Sequence, residues 1–144
     1  MLITLEVLEE ENACSRGVKY FQSLEKKEWG VVELIKRCYK DSKESYAGWL
    51  YRCIDSNDEL REILGYLIET KGHLDAYVFI YCSELFKNDL ELFEGAVRYQ
   101  MKNGWDLGDA LDVSQFGELL KQLPELYEEA KLYQEEFWKK LCKM

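Results

Sequence analysis

Leu60, Ile63, Leu64, Leu67 and Ile68 recur at the spacing that sets five apolar side chains on one face of an α-helix. Ser56 stands before the run as an N-cap, with Glu59 three residues later to complete a capping box. The pattern returns in Leu126, Tyr127, Ala130, Tyr133, Phe137, Trp138 and Leu141, where the single proline, Pro124, fits a first helical turn. Further helices are expected near 3–11, 13–24, 30–40, 43–54, 73–86, 88–102 and 114–123. Ser42, Asn88 and Ser114 are the expected caps, and Gly72 and Gly104 the stops.

Two stretches fit a strand as well as a helix. "ITLEVL" alternates like a half-buried strand, and "AYVFIYC" is apolar on all sides. Helix is the expectation for both, because a lone strand has nothing to pair with. A helix that is apolar all round must be enclosed by others. The fold class expected is therefore all-α: a compact irregular bundle of about eight short helices around a buried helix near 73–86, with 76–82 deep inside. With no Ser/Gly-rich linker, residues 1–144 read as one helical domain.

A chain of 144 residues, 47% hydrophobic and 14% aromatic, can bury a core without metal or disulfide staples. Its net charge of −9 works against anionic partners, so neither direct nucleic-acid binding nor membrane binding is expected. No apolar run reaches the roughly 20 residues that span a bilayer. The acidic start "MLITLEVLEEENA" lacks the positive charge of a secretory signal, and a cytoplasmic location is expected. Cys14, Cys38, Cys53, Cys82 and Cys142 form no CxxC pair, which suits free, mostly buried thiols rather than a zinc site.

"NACSRGVKYF", residues 12–21, is the stretch that most resembles a reactive site. A catalytic cysteine needs a base or a cationic neighbourhood to form its thiolate. The only histidine, His73, is remote in sequence, and Arg16 and Lys19 fit a solvated face equally well. Cys14 is therefore expected to be a buried structural thiol that alkylates slowly. Gly17, Gly48, Gly65 and Gly95 fall inside expected helices, each costing about 1 kcal/mol against alanine. Close helix crossings would explain them, and so would helix breaks at some of these positions. No GxGxxG or GK[ST] phosphate loop occurs, and no cofactor is expected.

"NACSRGVKYF", followed by "ELIKRC" and "YAGWLYRC", resembles a style found in small helical bacterial and phage proteins of mostly unassigned function. Its positions are Ala13, Cys14, Gly17, Tyr20, Phe21 and Trp49, with Tyr20 standing where that style usually has Trp. The resemblance covers roughly the first 55 residues. It implies a helical fold and a bacterial or phage origin, and no activity.

Asp106, Asp109 and Asp112 in "WDLGDALD" lie three apart, but the alternating ligands and late glutamate of a calcium loop are absent, so no metal is expected. Glu9, Glu10 and Glu11 are consecutive and fan around a helix end. Residues 1–15 hold four acids and no base, 16–45 hold eight bases against five acids, and 104–144 hold nine acids against five bases. The leading expectation is a non-enzymatic protein-binding module: a phage or mobile-element inhibitor of host defence, comparable to anti-CRISPR proteins. The alternatives are an acidic immunity protein neutralising a basic toxin, and a DNA-mimicking inhibitor. A basic or nucleic-acid-binding protein partner is expected to meet Trp105, Asp106, Asp109 and Asp112, with Glu9, Glu10 and Glu11. An exposed aromatic ringed by charge is a common interface anchor.

Overall fold

The computed structural model describes residues 1–104, 107 and 114–143. The fold is all-α, with ten α-helices and one two-stranded sheet among the described residues. The chain divides into two compact units, residues 1–55 and 56–144.

In residues 1–55, β1 (Leu2–Ile3) pairs antiparallel with β2 (Trp29–Gly30), Ile3 opposite Trp29. The helix expected over "ITLEVL" starts at Leu5, and only Ile3 of that stretch belongs to the strand. Its partner lies too far along the chain to be seen locally. Thr4 then caps α1 (Leu5–Glu10), accepting from the Val7 N–H at 3.3 Å. After α2 (Ser15–Ser23), α3 (Val31–Lys40) turns Val31, Val32, Leu34, Ile35, Cys38 and Tyr39 into the core. Ser42 is no cap: it takes the left-handed conformation, φ 58°, and α4 (Glu44–Leu50) starts after Lys43. The expected helix 43–54 is shorter, because a 3₁₀ turn takes over at Tyr51–Cys53. The hydroxyls of Tyr39 and Tyr51, both buried, hydrogen-bond to one another.

In residues 56–144, Ser56 caps α5 (Asn57–Lys71) as expected, accepting from the Glu59 N–H at 3.2 Å. Gly72 ends it at φ 74°, and its N–H meets the carbonyls of Leu67 and Ile68. The helix expected at 73–86 is two helices, α6 (Ala76–Tyr81) and α7 (Ser83–Lys87), which meet at Cys82. Only part of 76–82 is deep. Val78, Phe79 and Cys82 are buried, whereas Tyr77 and Tyr81 are 51% and 38% exposed and stack at 6.0 Å. Tyrosines four apart share one face, and a hydroxyl lets a ring stand in water that looks apolar by sequence.

Asp89, one residue later than the expected Asn88, caps α8 (Leu90–Lys102). The left-handed Gly104 follows α8, as expected of a stop. Next come α9 (Ser114–Lys121), which begins at Ser114 itself, and α10 (Pro124–Cys142), with proline in its first turn. The centre of this unit is four phenylalanines, Phe79, Phe86, Phe93 and Phe116, with ring centroids 5.3–6.3 Å apart. Two buried glutamines satisfy the backbone of adjoining loops. Gln100 accepts from the Leu74 N–H and donates to the Leu74 carbonyl, both at 2.9 Å, and Gln134 accepts from the Leu107 N–H at 2.9 Å.

The close crossings expected at helical glycines are not found at Gly65 and Gly95. Both are exposed, and a Cβ added at either meets nothing within 4 Å. Gly65→Ala and Gly95→Ala should therefore each stabilise the protein by about 0.4–1 kcal/mol, through lower unfolded-chain entropy and better helix propensity. Urea denaturation of the two variants checks this. A loss of stability would mean that the backbone there is less helical than it stands.

Candidate functional site

"NACSRGVKYF" forms a tight corner between α1 and α2. Asn12 takes the left-handed conformation, φ 58°, and the Ala13 N–H returns to the Leu8 carbonyl at 2.9 Å. Cys14 is extended, and its Sγ accepts from the Gly17 N–H at 3.4 Å, capping α2. The thiol is exposed rather than buried, which corrects the sequence-based expectation. A cap must stand outside the helix it opens, and a small N-cap side chain turned back on the first turn stays near water.

This corner forms one side of an open cavity of about 300 Å³. Ala13, Cys14, Gly17 and Tyr20 line it from the corner and α2, and Ser45, Tyr46 and Trp49 line it from α4. Asn12 and the buried side chains of Leu8, Phe21, Leu34, Cys38 and Leu50 complete the lining. Almost all of the surface is carbon. The volume is at the lower end of the roughly 300–1,000 Å³ typical of ligand pockets. Gly17 keeps the mouth wide, because a Cβ there would make only an ordinary 3.6 Å contact with Cys14 Sγ and would project into unfilled space.

Its aromatic side is held firmly. The Tyr20 and Tyr46 rings lie 5.5 Å apart at 41°. The Tyr20 hydroxyl donates to Asp41 Oδ2 at 2.8 Å, and Arg37 Nε donates to the same oxygen at 2.9 Å. Arg37 also reaches Glu25 Oε1 at 2.7 Å. Burial, then the bond to Asp41, drives the Tyr20 pKa well above its ordinary value. The bond from Tyr20, followed by Arg37, holds the Asp41 carboxyl below the usual range. Burial pushes the Cys38 thiol up to about 12. At neutral pH Tyr20 and Cys38 are therefore uncharged, and Asp41 spends its charge on Tyr20 and Arg37. Such a pocket suits holding an uncharged apolar group, with the exposed Cys14 thiol at its edge.

The carboxylates singled out in the sequence are elsewhere. Glu9 and Glu10 are exposed at the end of α1, Glu11 is its exposed C-cap, and none of the three lines the cavity. Trp105, Asp106, Asp109 and Asp112 lie outside the described residues. Sequence reasoning missed the pocket itself. The available signal was the small residues Ala13 and Gly17 close to Tyr20 and Phe21, Ala13 in the corner before α2 and Gly17 in its first turn.

Cysteine exposure yields a direct prediction. A neutral alkylating reagent should label the exposed Cys14 and Cys142 quickly in the native protein and leave the buried Cys38, Cys53 and Cys82 intact. Intact mass spectrometry should show two rapid additions. Zero, or all five, would contradict this arrangement. No protein-family model, no curated protein and no solved structure matches the chain.

Proposed function

We propose that this chain is a non-enzymatic protein-binding module, and that the cavity in residues 1–55 takes an aromatic or branched aliphatic anchor from its partner. The supporting observation is the open, almost wholly apolar pocket between the α1–α2 corner and α4. A preformed site of this kind gains affinity from apolar burial while ordering few groups of its own. The partner is basic. Residues 56–144 hold eighteen acids against ten Lys and Arg, whereas residues 1–55 hold ten against nine. Acidic side chains, among them Asp106, Asp109 and Asp112, raise the association rate and its salt dependence more than affinity. The role proposed is that of a cytoplasmic inhibitor of host defence, in keeping with the bacterial or phage origin that the resemblance of residues 1–55 implies.

The test is a peptide-library selection against the native protein, counter-screened with Gly17→Leu. Leucine at this half-buried helical position fills the mouth of the cavity and suits the helix better than glycine, so the variant should fold. Selected peptides should share an apolar anchor and bind Gly17→Leu at least tenfold more weakly. Peptides that bind both proteins equally would refute the reading.

A further inference from the structure

Within residues 56–144, α5 and α8 run side by side in the same direction, tied together at two points. At one end Arg61 pairs with Asp89, the N-cap of α8, and at the other the Tyr99 hydroxyl donates to the Gly72 carbonyl at 3.1 Å. Between these ties lies an open groove of about 390 Å³, its floor made by Leu64, Ile68, Leu74, Leu92 and Ala96. At 1.5 Å per residue, the wall from Arg61 to Gly72 is about 16 Å long, or three turns of helix.

Two observations indicate what fills it. The first is glycine. Gly95 lines the groove, and Gly65 stands one turn after Arg61 on the other wall. A Cβ at either would meet nothing within 4 Å, so the fold itself makes no use of the missing side chains. Each glycine costs about 1 kcal/mol against alanine in a helix. A backbone bare on both walls does allow a third helix to come close.

The second observation is charge. Asp58, Glu69 and Glu91 are exposed, and none of them makes an ion pair or a side-chain hydrogen bond among the described residues. Glu91 lines the groove. Asp58, three residues before Arg61, and Glu69, four after Gly65, follow the outer edge of the α5 wall. The nearby cations offer less. Arg61 is held by Asp89, Arg98 by Glu94 and Glu129, and Lys102 lies beyond Tyr99. The charge open to a partner along the groove is therefore mainly negative.

We propose that the α5–α8 groove docks a short amphipathic helix of a basic partner. Its apolar face covers Leu64, Ile68 and Leu92, and the lysines or arginines beside that face meet Asp58, Glu69 and Glu91. The inference shares with the reading above only the basic partner. It does not depend on the cavity in residues 1–55.

Isothermal titration calorimetry of the full chain with an amidated peptide of about fourteen residues, leucines on one helical face and lysines elsewhere, tests this. The native protein should bind the peptide saturably, one to one. A peptide of the same composition with its leucines scattered around the helix should bind at least tenfold more weakly. Gly95→Leu places a side chain in the groove and suits the helix better than glycine, so it should keep its circular dichroism and lose at least tenfold in affinity. Asp58→Asn/Glu69→Gln/Glu91→Gln should weaken binding about tenfold and flatten its salt dependence. Gly17→Leu should bind as the native chain does, which separates this site from the cavity. Absence of saturable binding, equal binding by Gly95→Leu or of the scattered peptide, or binding abolished by Gly17→Leu would each overturn the proposal. So would self-association of the native protein that Gly95→Leu removes, because a second copy would then fill the groove.

Discussion

Phe79→Ala is expected to cost about 3–5 kcal/mol of unfolding free energy, the largest effect of any single substitution considered. Phe79 is 1% exposed and touches three other phenylalanines, stacking on Phe86 at 5.6 Å and meeting Phe93 and Phe116 edge-on at 6.3 and 5.3 Å. Truncation removes the transfer energy of the ring. It also leaves a cavity that rings on three different helices, α7, α8 and α9, cannot jointly collapse into. Since small domains are typically stable by only about 5–15 kcal/mol, the variant should sit near its unfolding threshold. Phe79→Leu should cost far less, because most of the volume is kept. Equilibrium denaturation followed by circular dichroism measures both. A loss under about 1 kcal/mol for alanine would show that the four rings do not pack as a unit.

Gln100→Leu should cost about 2–4 kcal/mol, although it makes the interior more apolar. The Gln100 amide is 5% exposed and bonds both backbone groups of Leu74, itself 2% exposed. Leucine removes both partners at once and strands a buried N–H and a buried C=O, each costing about 1–3 kcal/mol. Hydrogen exchange at the Leu74 amide should accelerate well before the rest of the unit loosens. A variant as stable as the native protein would mean that another group meets the Leu74 backbone.

Local signals were legible in the sequence. The Ser56 cap, the Gly72 stop and the proline at the start of α10 depend only on residues within one or two turns, and all stand where the pattern put them. Features set by distant neighbours were not. The strand at Leu2–Ile3 exists because Trp29–Gly30 folds back beside it, and the break at Cys82 interrupts a run of residues that would otherwise suit one helix. Tyr77 and Tyr81 count as apolar in a pattern, yet their hydroxyls allow them to face water.

The pocket was illegible for the same reason. Ala13 and Gly17 are visible as small residues, but a cavity arises only when α4 brings Tyr46 and Trp49 opposite them. Cys14 was misread because burial is the usual state of a free thiol, whereas here its sulfur is used as a helix cap at the surface.

The central claim is that this cavity accepts an apolar anchor, and indole, the side-chain group of tryptophan, probes it without a partner in hand. Indole should be titrated into ¹⁵N-labelled protein and into Gly17→Leu, with two-dimensional NMR as the readout. The native spectrum should show saturable shifts concentrated at residues 12–14, 17, 20–21 and 45–50 and at the Trp49 indole N–H, and Gly17→Leu should show none of them. Shifts scattered over the whole chain without saturation, or equal saturable binding to the filled variant, would contradict the account.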